Sequence, residues 1–328
     1  MGSSMKRYLK VGVVMGGPSA EHDISLMTGR NVGEALQSIG HDATPVYIAP
    51  SGSWFIYPHK GVAFDPAALC GRFDVLFNAM HGEYGEDGRA QQIFETCGIP
   101  YTGSGVAASA LAMNKIISRE IFKNAGLTVP RAIPARKDAF DMQKHVADVH
   151  WLSAPPWVVK PASRGSSVGV SIAMTFPELE RAMHHAFSLD EAALAEEHIA
   201  GREVTCGILE DFEGEKYHAL HPVEIIPPDG KFFDYQVKYD GSTQEVPAPF
   251  FGEMLRLIKA AAITAHKALG CRHYSRTDMI IKGTKIYVLE TNTLPGLTKE
   301  SLFPKAASWA KLEFPQLCDH LVRLAVKR

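Results

Sequence analysis

The sequence predicts a mixed α/β protein, and three stretches support this prediction. Near the amino terminus, an apolar run at residues 9–15 leads into a glycine-rich turn and a helical pattern, which is how a βαβ unit begins. A second apolar run, at residues 73–79, is again followed by glycines and a helical pattern. Near the carboxyl terminus, residues 274–298 contain two apolar runs around Gly283, which is typical of a β-hairpin.

Length and composition indicate which kinds of binding partner to expect. The 328 residues allow two or three domains, and a net charge of −2 gives no general attraction to nucleic acid or an anionic membrane. No apolar run approaches the roughly 18 residues that a membrane-spanning helix needs. Residues 1–4 resemble the remnant of an expression tag, and no signal-peptide core follows them. We therefore expect a cytoplasmic protein with small-molecule partners, without nucleic acid or membrane binding.

The cysteines predict no redox or metal site. They are five in number and scattered, and no two of them form a CxxC pair. We expect reduced, mostly packed thiols at all five positions: Cys70, Cys97, Cys206, Cys271 and Cys318.

The first two strand–turn–helix units carry polar residues where a ligand could bind. The turn at residues 16–23 lacks GxGxxG, so it is not a dinucleotide fingerprint. Glu21 lies at the start of the following helix, either as a charge favoured by the helix dipole or as a ligand contact. His81 and three glycines follow the second strand, at the sheet edge where open α/β sheets bind ligands. The turn-rich residues 98–105 indicate the first domain boundary.

The central part contains two lysines and a flexible segment. Lys115 lies in a helical run at residues 107–125, and Lys160 ends a strand at residues 157–161. Residues 162–170 are rich in glycine and hydroxyl side chains, so their backbone N–H groups could enclose a phosphate, although the sequence is not a Walker motif. An exposed solubilising role remains an alternative for either lysine.

The rest of the chain contains one long irregular segment among further predicted helices and strands. Residues 229–249 are long, irregular and aromatic, which is typical of a lid or binding loop. The other predicted elements are helices at 24–39, 89–96, 176–186, 251–269 and 301–326, and strands at 193–199 and 204–209.

The C-terminal hairpin places acids together. Asp278 begins its first strand and Glu290 ends its second, so the two carboxylates lie opposite each other, and Asn292 follows on the same side as Glu290. Facing like charges destabilise a hairpin unless a proton or cation lies between them. Mg²⁺ prefers such oxygen ligands. A surface hairpin with solvated acids is the alternative, but the hydroxyl-rich loop at residues 291–298 favours a binding site.

Eight motifs in this order resemble the D-alanine–D-alanine ligases, which are ATP-grasp enzymes, over essentially the whole chain. They are GGPSAEHDIS (16–25), HGEYGEDG (81–88), YTGSGVAASALAMNK (101–115), VVKPASRGSSVGV (158–170), EEHIAGREVT (196–205), FDYQVKYDG (233–241), RTD (276–278) and LETNTLPGLTKESL (289–302).

The resemblance implies an ATP-grasp fold in three domains. They are a Rossmann-like N-terminal domain at residues 1–103, a central domain at 104–195 and a C-terminal domain at 196–328, with a lid at about 226–249. The last two would clasp ATP. The implied reaction is the ATP-dependent ligation of two D-alanines through an acyl phosphate, for peptidoglycan precursor synthesis. ATP, two Mg²⁺ ions (with Mn²⁺ as a substitute) and a homodimer are also implied. A ligase joining other amino acids is the alternative.

The resemblance assigns roles residue by residue. The implied ATP contacts are Lys115, Lys160, Ser167, Val168, Glu196, Glu197, His198, Ile199 and Glu203. The implied metal ligands are Asp278, Glu290 and Asn292. The implied catalytic residues are Glu21, Ser166, Tyr239, Arg276 and Gly296, and the implied amino-acid contacts are His81, Lys238, Ser301 and Leu302.

The chain departs from the family pattern in three places. Asn114 stands where an aspartate is common, Ser275 and Thr277 stand where small apolar residues are usual, and residues 246–249 lack the usual Cys-Pro. No implied catalytic group is missing, which argues against an inactive binding module, and the absent GxGxxG argues against an NAD enzyme. By family analogy, Tyr239 favours D-alanine over D-lactate as the acceptor.

Overall fold

The structure is a computed structural model that describes residues 8–57, 61–165, 168–228, 243–298 and 300–327. Its described strands form three sheets, which follow one another along the chain. The mixed α/β class is confirmed.

The first sheet has the strand order β3-β2-β1-β4, and β1 pairs in parallel with both β2 and β4. Six of the seven residues of β1 are buried, which explains its continuous apolar run. Two helices accompany the sheet, and the second has the predicted bounds. The elements are β1 Lys10–Gly16, α1 His22–Ser38, β2 Asp42–Ile48, β3 Trp54–Ile56, β4 Val75–Asn78 and α2 Arg89–Thr96, with a 3₁₀ helix at Pro66–Leu69.

The predicted helix at residues 107–125 is two helices, α3 (Val106–Met113) and α4 (Lys115–Asn124). Asn114 separates them in an extended conformation, and its side-chain oxygen accepts from the N–H groups of Ile116 and Ile117, both at 3.1 Å. This side chain is the N-cap of α4. The single-helix prediction was wrong because an asparagine inside an apolar pattern can begin a new helix instead of continuing one.

The second sheet is antiparallel, in the order β5-β8-β6-β7. Its apolar side packs on two helices around Trp157, which is 1% exposed. The elements are β5 Ala132–Arg136, α5 Met142–Leu152, β6 Trp157–Pro161, β7 Ser171–Ala173, α6 Phe176–Leu189 and β8 Ala192–Glu197, with a 3₁₀ helix at Lys137–Ala139.

The third sheet contains the predicted hairpin. Its order is β12-β11-β9-β13-β14, and β10 pairs with β9. Asp278 pairs directly with Glu290, as predicted, and Arg276 pairs with Asn292. The first strand of the hairpin begins at Tyr274, so the expectation that Asp278 begins it was wrong. Gly283 has φ +61°, a conformation that glycine adopts readily in the turn. The elements are β9 Arg202–Phe212, β10 Glu215–Ala219, β11 Val223–Ile226, β12 Gln244–Pro247, α7 Gly252–Leu269, β13 Tyr274–Lys282 and β14 Lys285–Asn292.

The C-terminal helices return to the first sheet. The predicted helical tail is divided into α8 (Leu302–Trp309) and α9 (Phe314–Val326). Apolar residues of α9, of α1 and of β1 share one buried core, and His41 contacts Asp319 at 2.8 Å. Within the described residues, no helix is long and apolar enough to cross a membrane.

Two cysteines differ from the prediction. Cys70 and Cys97 form a disulfide, with 4.8 Å between their Cα atoms, so the expectation of reduced thiols was wrong for this pair. Cys70 is the C-cap of the 3₁₀ helix and Cys97 is the C-cap of α2, and a separation of 27 residues conceals this proximity in the sequence. The other three cysteines are free and buried as predicted, and burial raises their thiol pKa values: Cys206, Cys271 and Cys318.

Candidate functional site

A cavity of about 990 Å³ lies between the three sheets. Most of the residues that the sequence implicated line it, although they come from segments far apart in the chain. They are Glu21, His81, Lys115, Lys160, Glu196, Glu197, His198, Ile199, Glu203, Arg276, Asp278, Glu290, Asn292, Gly296, Ser301 and Leu302.

Five predicted site residues are not among the cavity-lining ones. Ser166, Ser167, Lys238 and Tyr239 lie outside the described residues. Val168 is described but does not line the cavity, and its backbone N–H donates to the carbonyl of Gly165 at 3.1 Å.

The acidic end of the hairpin holds a buried arginine. Nε and Nη2 of Arg276 donate to the two carboxylate oxygens of Asp278 at 3.0 and 2.9 Å, and Thr205 donates its hydroxyl to the same carboxylate at 2.5 Å. Burial disfavours the charged form of the Arg276 guanidinium and so lowers its pKa. The negative charges of Asp278, Glu290 and Glu86 together have the larger effect, so the pKa of Arg276 is raised. Arg276 is therefore a permanent cation inside the cavity.

The second carboxylate of the hairpin faces a lysine. Nζ of Lys115 lies 3.1 Å from Oε2 of Glu290 and donates to the carbonyl of Arg164 at 2.7 Å. Lys115 is the first residue of α4 and directly follows its N-cap, Asn114. The side-chain oxygen of Asn292 accepts from the N–H of Leu294 at 2.9 Å.

The donor set suits magnesium better than a transition metal. Asp278 and Glu290 face each other on paired strands, and Asn292 adds an amide oxygen, so every donor is a hard oxygen. The described residues contain no group of three or more His, Cys, Asp or Glu side chains placed to hold a metal. A cation bound at the hairpin would therefore need further oxygen ligands from a substrate, as Mg²⁺ commonly has.

A buried ion pair lies at the other end of the cavity. Nζ of Lys160 is 2.6 Å from Oε2 of Glu196, and both side chains are at most 10% exposed. Glu197 turns its carboxylate to Arg131, at 2.7 Å, and donates its backbone N–H to the carbonyl of that residue at 2.9 Å. The N–H of His198 donates to the carbonyl of Pro156. These two N–H groups are thus already bonded within the protein.

The first sheet contributes a carboxylate that the sequence reasoning did not single out. Glu86 lines the cavity beside Glu21 and His81, and its Oε1 accepts from the N–H of Gly82 at 2.9 Å. Burial and the charge of Glu21 raise the pKa of Glu86, although the hydrogen bonds from His81 and Gly82 partly oppose this. Its place in the motif HGEYGEDG, five residues after His81, was the available signal.

Glu86→Gln should therefore stabilise the protein at high pH. The wild-type carboxyl is protonated in both folded and unfolded chains below its ordinary pKa of 4.5, so no difference is expected there. As the pH rises from 4.5 through the raised folded value, the folded wild type alone loses stability. We expect a melting temperature higher by roughly 2–4 °C at pH 8 for the variant. Thermal melts from pH 4 to 8 check this, and an equal difference at every pH would contradict it.

The loop after β14 ends at a tight contact. A Cβ on Gly296 would lie 2.9 Å from the hydroxyl of Ser301, so a larger residue here would displace that hydroxyl. Ser301 precedes α8, and its hydroxyl lies 2.8 Å from that of Thr298. The hydroxyl of Ser301 and the first turn of α8 thus present polar hydrogen-bonding groups to the cavity, where an anion would be favoured.

Acidic side chains outnumber basic ones in the described lining by nine to four. This excess of negative charge suits a site that binds cations, such as metal ions or an ammonium group. Such cations could accompany an anionic ligand in the same cavity. The acids are Glu21, Glu86, Glu196, Glu197, Glu203, Glu245, Asp278, Glu290 and Glu300, and the bases are Lys115, Lys160, Arg276 and Lys305.

Family models match nearly the whole chain. A model described as D-ala D-ala ligase C-terminus matches residues 121–323, and one described as D-ala D-ala ligase N-terminus matches residues 10–67 and 59–104. A D-alanine–D-alanine ligase from Geobacter sulfurreducens is 43% identical over 302 residues, covering 91% of this chain and 88% of that protein. One from Geotalea uraniireducens is 41% identical over 322 residues, covering 96% and 95%.

Solved structures agree with the family models. VanG D-Ala:D-Ser ligase from Enterococcus faecalis superposes with a TM-score of 0.85 at 31% identity, covering 97% of this chain and 100% of that one. D-alanine–D-alanine ligase from Bacillus anthracis complexed with ATP gives a TM-score of 0.80 at 30% identity, covering 97% and 98%. The ATP-grasp fold implied by the sequence motifs is thereby confirmed. With both family models and these relatives spanning the chain, it belongs to the D-alanine–D-alanine ligase family.

Proposed function

We propose that this protein ligates two D-alanines to D-alanyl-D-alanine at the expense of ATP, for peptidoglycan precursor synthesis. One observation carries the proposal: a single cavity combines the Arg276–Asp278 pair, Glu290, Lys115 and the buried Lys160 with the polar start of α8. These are the groups that phosphoryl transfer followed by amide formation requires. The named relatives share this family over nearly their whole length.

Nucleotide binding is proposed between the second and third sheets. Glu196, the segment 197–199 and Glu203 line the cavity and would surround the base and ribose, while Lys115 and Lys160 would contact the phosphates. The ATP complex of the Bacillus anthracis relative supports nucleotide binding at this fold. Ser166, Ser167 and Val168 are proposed to cover the phosphates, as the family motif implies.

Two magnesium ions are proposed at the hairpin. Asp278, Glu290 and Asn292 would hold them, with phosphate oxygens completing the coordination. When bound, the ions supply charge neutralisation for the transferred phosphoryl group, and Mn²⁺ offers the same ligand preferences. Lys115 contributes a further positive charge next to Glu290.

The amino-acid end is proposed at the first sheet and α8. Glu21 would hold the ammonium of the first D-alanine, with His81 beside it, and Ser301 and Leu302 would hold the carboxylate of the second. Lys238 and Tyr239 are assigned to site closure by the family motif alone. This arrangement directs the first carboxylate toward the phosphates and the second amine toward the first carbonyl.

The reaction then has two steps. A carboxylate oxygen of the first D-alanine attacks the γ-phosphorus, and the bond to the β-phosphate oxygen breaks, giving an acyl phosphate and ADP. The amine of the second D-alanine attacks the acyl carbon, loses a proton, and phosphate leaves with the electrons of the C–O bond. Arg276 and the N–H of Gly296 would stabilise the tetrahedral oxyanion between attack and departure, and closure of the cavity would protect the acyl phosphate from water.

An acceptor other than D-alanine is a specific alternative. A structural neighbour with a TM-score of 0.85 is named a D-Ala:D-Ser ligase, so D-serine is a candidate for the second position. The chain departs from the usual pattern at Asn114, at Ser275 and Thr277, and at residues 246–249. Asn114 caps α4, a role that aspartate performs equally well, so it does not argue for a changed acceptor.

Further properties are proposed from the family. These are the domain borders at 1–103, 104–195 and 196–328, with the lid at about 226–249, a homodimer, and a cytoplasmic location. The shared core of α9 with α1 joins the last proposed domain to the first.

Phosphate release from ATP·Mg²⁺ tests the function. Release should rise with added D-alanine and produce a dipeptide detectable by mass spectrometry, whereas L-alanine and D-lactate should give little. A mixture of D-alanine and D-serine distinguishes the two acceptors, because a D-Ala:D-Ser ligase would yield mainly the mixed product. ATP turnover that is independent of any D-amino acid would overturn the proposal.

A further inference from the structure

Arg119 is a buried cation behind the nucleotide end of the cavity. It lies in α4, its side chain is 6% exposed, and Nη1 is 3.6 Å from Oε1 of Glu196. Its Nη2 donates to the carbonyl of Pro130. Among the described residues, Nε and Nη1 have no hydrogen-bond partner, and Nε is 4.0 Å from the exposed carboxylate of Glu120. Buried donors are rarely left unused, so these atoms require an explanation.

Lys160 has two competing partners in the proposed reaction. In this structure its Nζ forms a 2.6 Å ion pair with Glu196. Its proposed contact with the phosphates of ATP requires the same ammonium to turn toward the nucleotide. Glu196 is 8% exposed, so losing the lysine would leave a buried carboxylate without its closest cation, which is strongly unfavourable.

We propose that Arg119 replaces Lys160 as the partner of Glu196 when ATP binds. Nη1 needs to approach Glu196 by less than about 1 Å to form a charge-assisted hydrogen bond, and it has no other bond to give up. Glu196 then keeps a cationic partner and stays directed at the base while Lys160 contacts phosphate. Arg119 is a positioning residue in this scheme, and the inference rests on the proposed nucleotide site.

A purely structural role is the competing explanation. The bond from Nη2 to Pro130 joins α4 to the segment before β5, and that bond would matter equally with any ligand. A nucleoside separates the two explanations, because adenosine fills the base and ribose space but has no phosphate to attract Lys160.

Arg119→Gln tests the exchange through binding constants. We expect the dissociation constant of ATP·Mg²⁺ to rise about tenfold or more, while that of adenosine changes less than about twofold. Lys123→Gln is the matched control, because this exposed lysine lies on the same helix and pairs at the surface with Glu120. Arg119→Lys, which retains a positive charge, should recover much of the ATP affinity.

A double variant identifies the charge responsible. In a Glu196→Gln background there is no buried carboxylate to neutralise, so Arg119→Gln should change the ATP constant by less than about twofold. Arg119→Met, whose apolar chain occupies similar space, serves as a second variant if Arg119→Gln melts below the assay temperature.

Two results would overturn this inference while leaving the proposed function intact. The first is that Arg119→Gln weakens the binding of ATP and of adenosine equally, and the second is that it weakens ATP binding as much in the Glu196→Gln background as in the wild type. Either result would mean that Arg119 has a purely structural role. Failure of the wild type to bind ATP·Mg²⁺ would instead reject the proposed function and this inference together. Isothermal titration of the wild type and of each variant distinguishes these cases.

Discussion

Arg276→Gln is expected to lower kcat for dipeptide formation by about a hundred- to a thousandfold, the usual cost of removing an oxyanion donor. The side chain is 11% exposed, is bonded twice to Asp278 and is permanently charged, so the substitution removes a fixed positive charge from the cavity. Because the charge develops on the substrate only during amide formation, the KM for ATP should change much less than kcat. Steady-state kinetics with each substrate varied in turn give this separation.

The same substitution also breaks a buried ion pair, and stability must be measured with activity. Removing one partner of such a pair typically costs about 3–5 kcal/mol, because the other charge stays buried. Assays are therefore made well below the melting temperature of the variant. Arg256→Gln, which removes an exposed arginine paired with Glu253, is the control and should leave kcat unchanged. Full activity of folded Arg276→Gln would exclude the oxyanion role.

Glu290→Gln should raise the Mg²⁺ concentration for half-maximal phosphate release at least tenfold. The amide retains the shape of the side chain but not its charge, and Mg²⁺ depends on carboxylate ligands. Lys115 complicates the result, since its ammonium at 3.1 Å loses its anionic partner and becomes available to phosphate. ATP affinity measured without metal should consequently fall little, whereas affinity with Mg²⁺ should fall clearly.

A matched control tests whether the effect depends on where in the protein the carboxylate is removed. Glu191→Gln removes an exposed carboxylate from the segment before β8, outside the cavity lining, and should leave the Mg²⁺ requirement unchanged. Chelation of all divalent cations should abolish phosphate release by both wild type and variant. An unchanged Mg²⁺ titration for Glu290→Gln would place the metal elsewhere in the cavity.

Local patterns predicted the strands and helices that bury continuous or periodic apolar faces. The bounds of α2 and β6 agree with the prediction, and the Asp278–Glu290 pairing follows from the two-residue alternation of a hairpin. Strands β2, β3, β5, β7, β10, β11 and β12 were not predicted as strands. They are short or carry polar and proline residues, so their extended form depends on pairing with neighbours.

By itself, the sequence determined the family, the α/β class and sixteen of the residues that line the cavity, because these depend on motifs and short-range periodicity. Only the tertiary structure decided which side chains meet. The contacts of Lys160 with Glu196, Lys115 with Glu290 and Cys70 with Cys97 join segments 27 to 175 residues apart. Such contacts are set by how sheets and helices pack, and neither residue of a pair carries a local signal of the other.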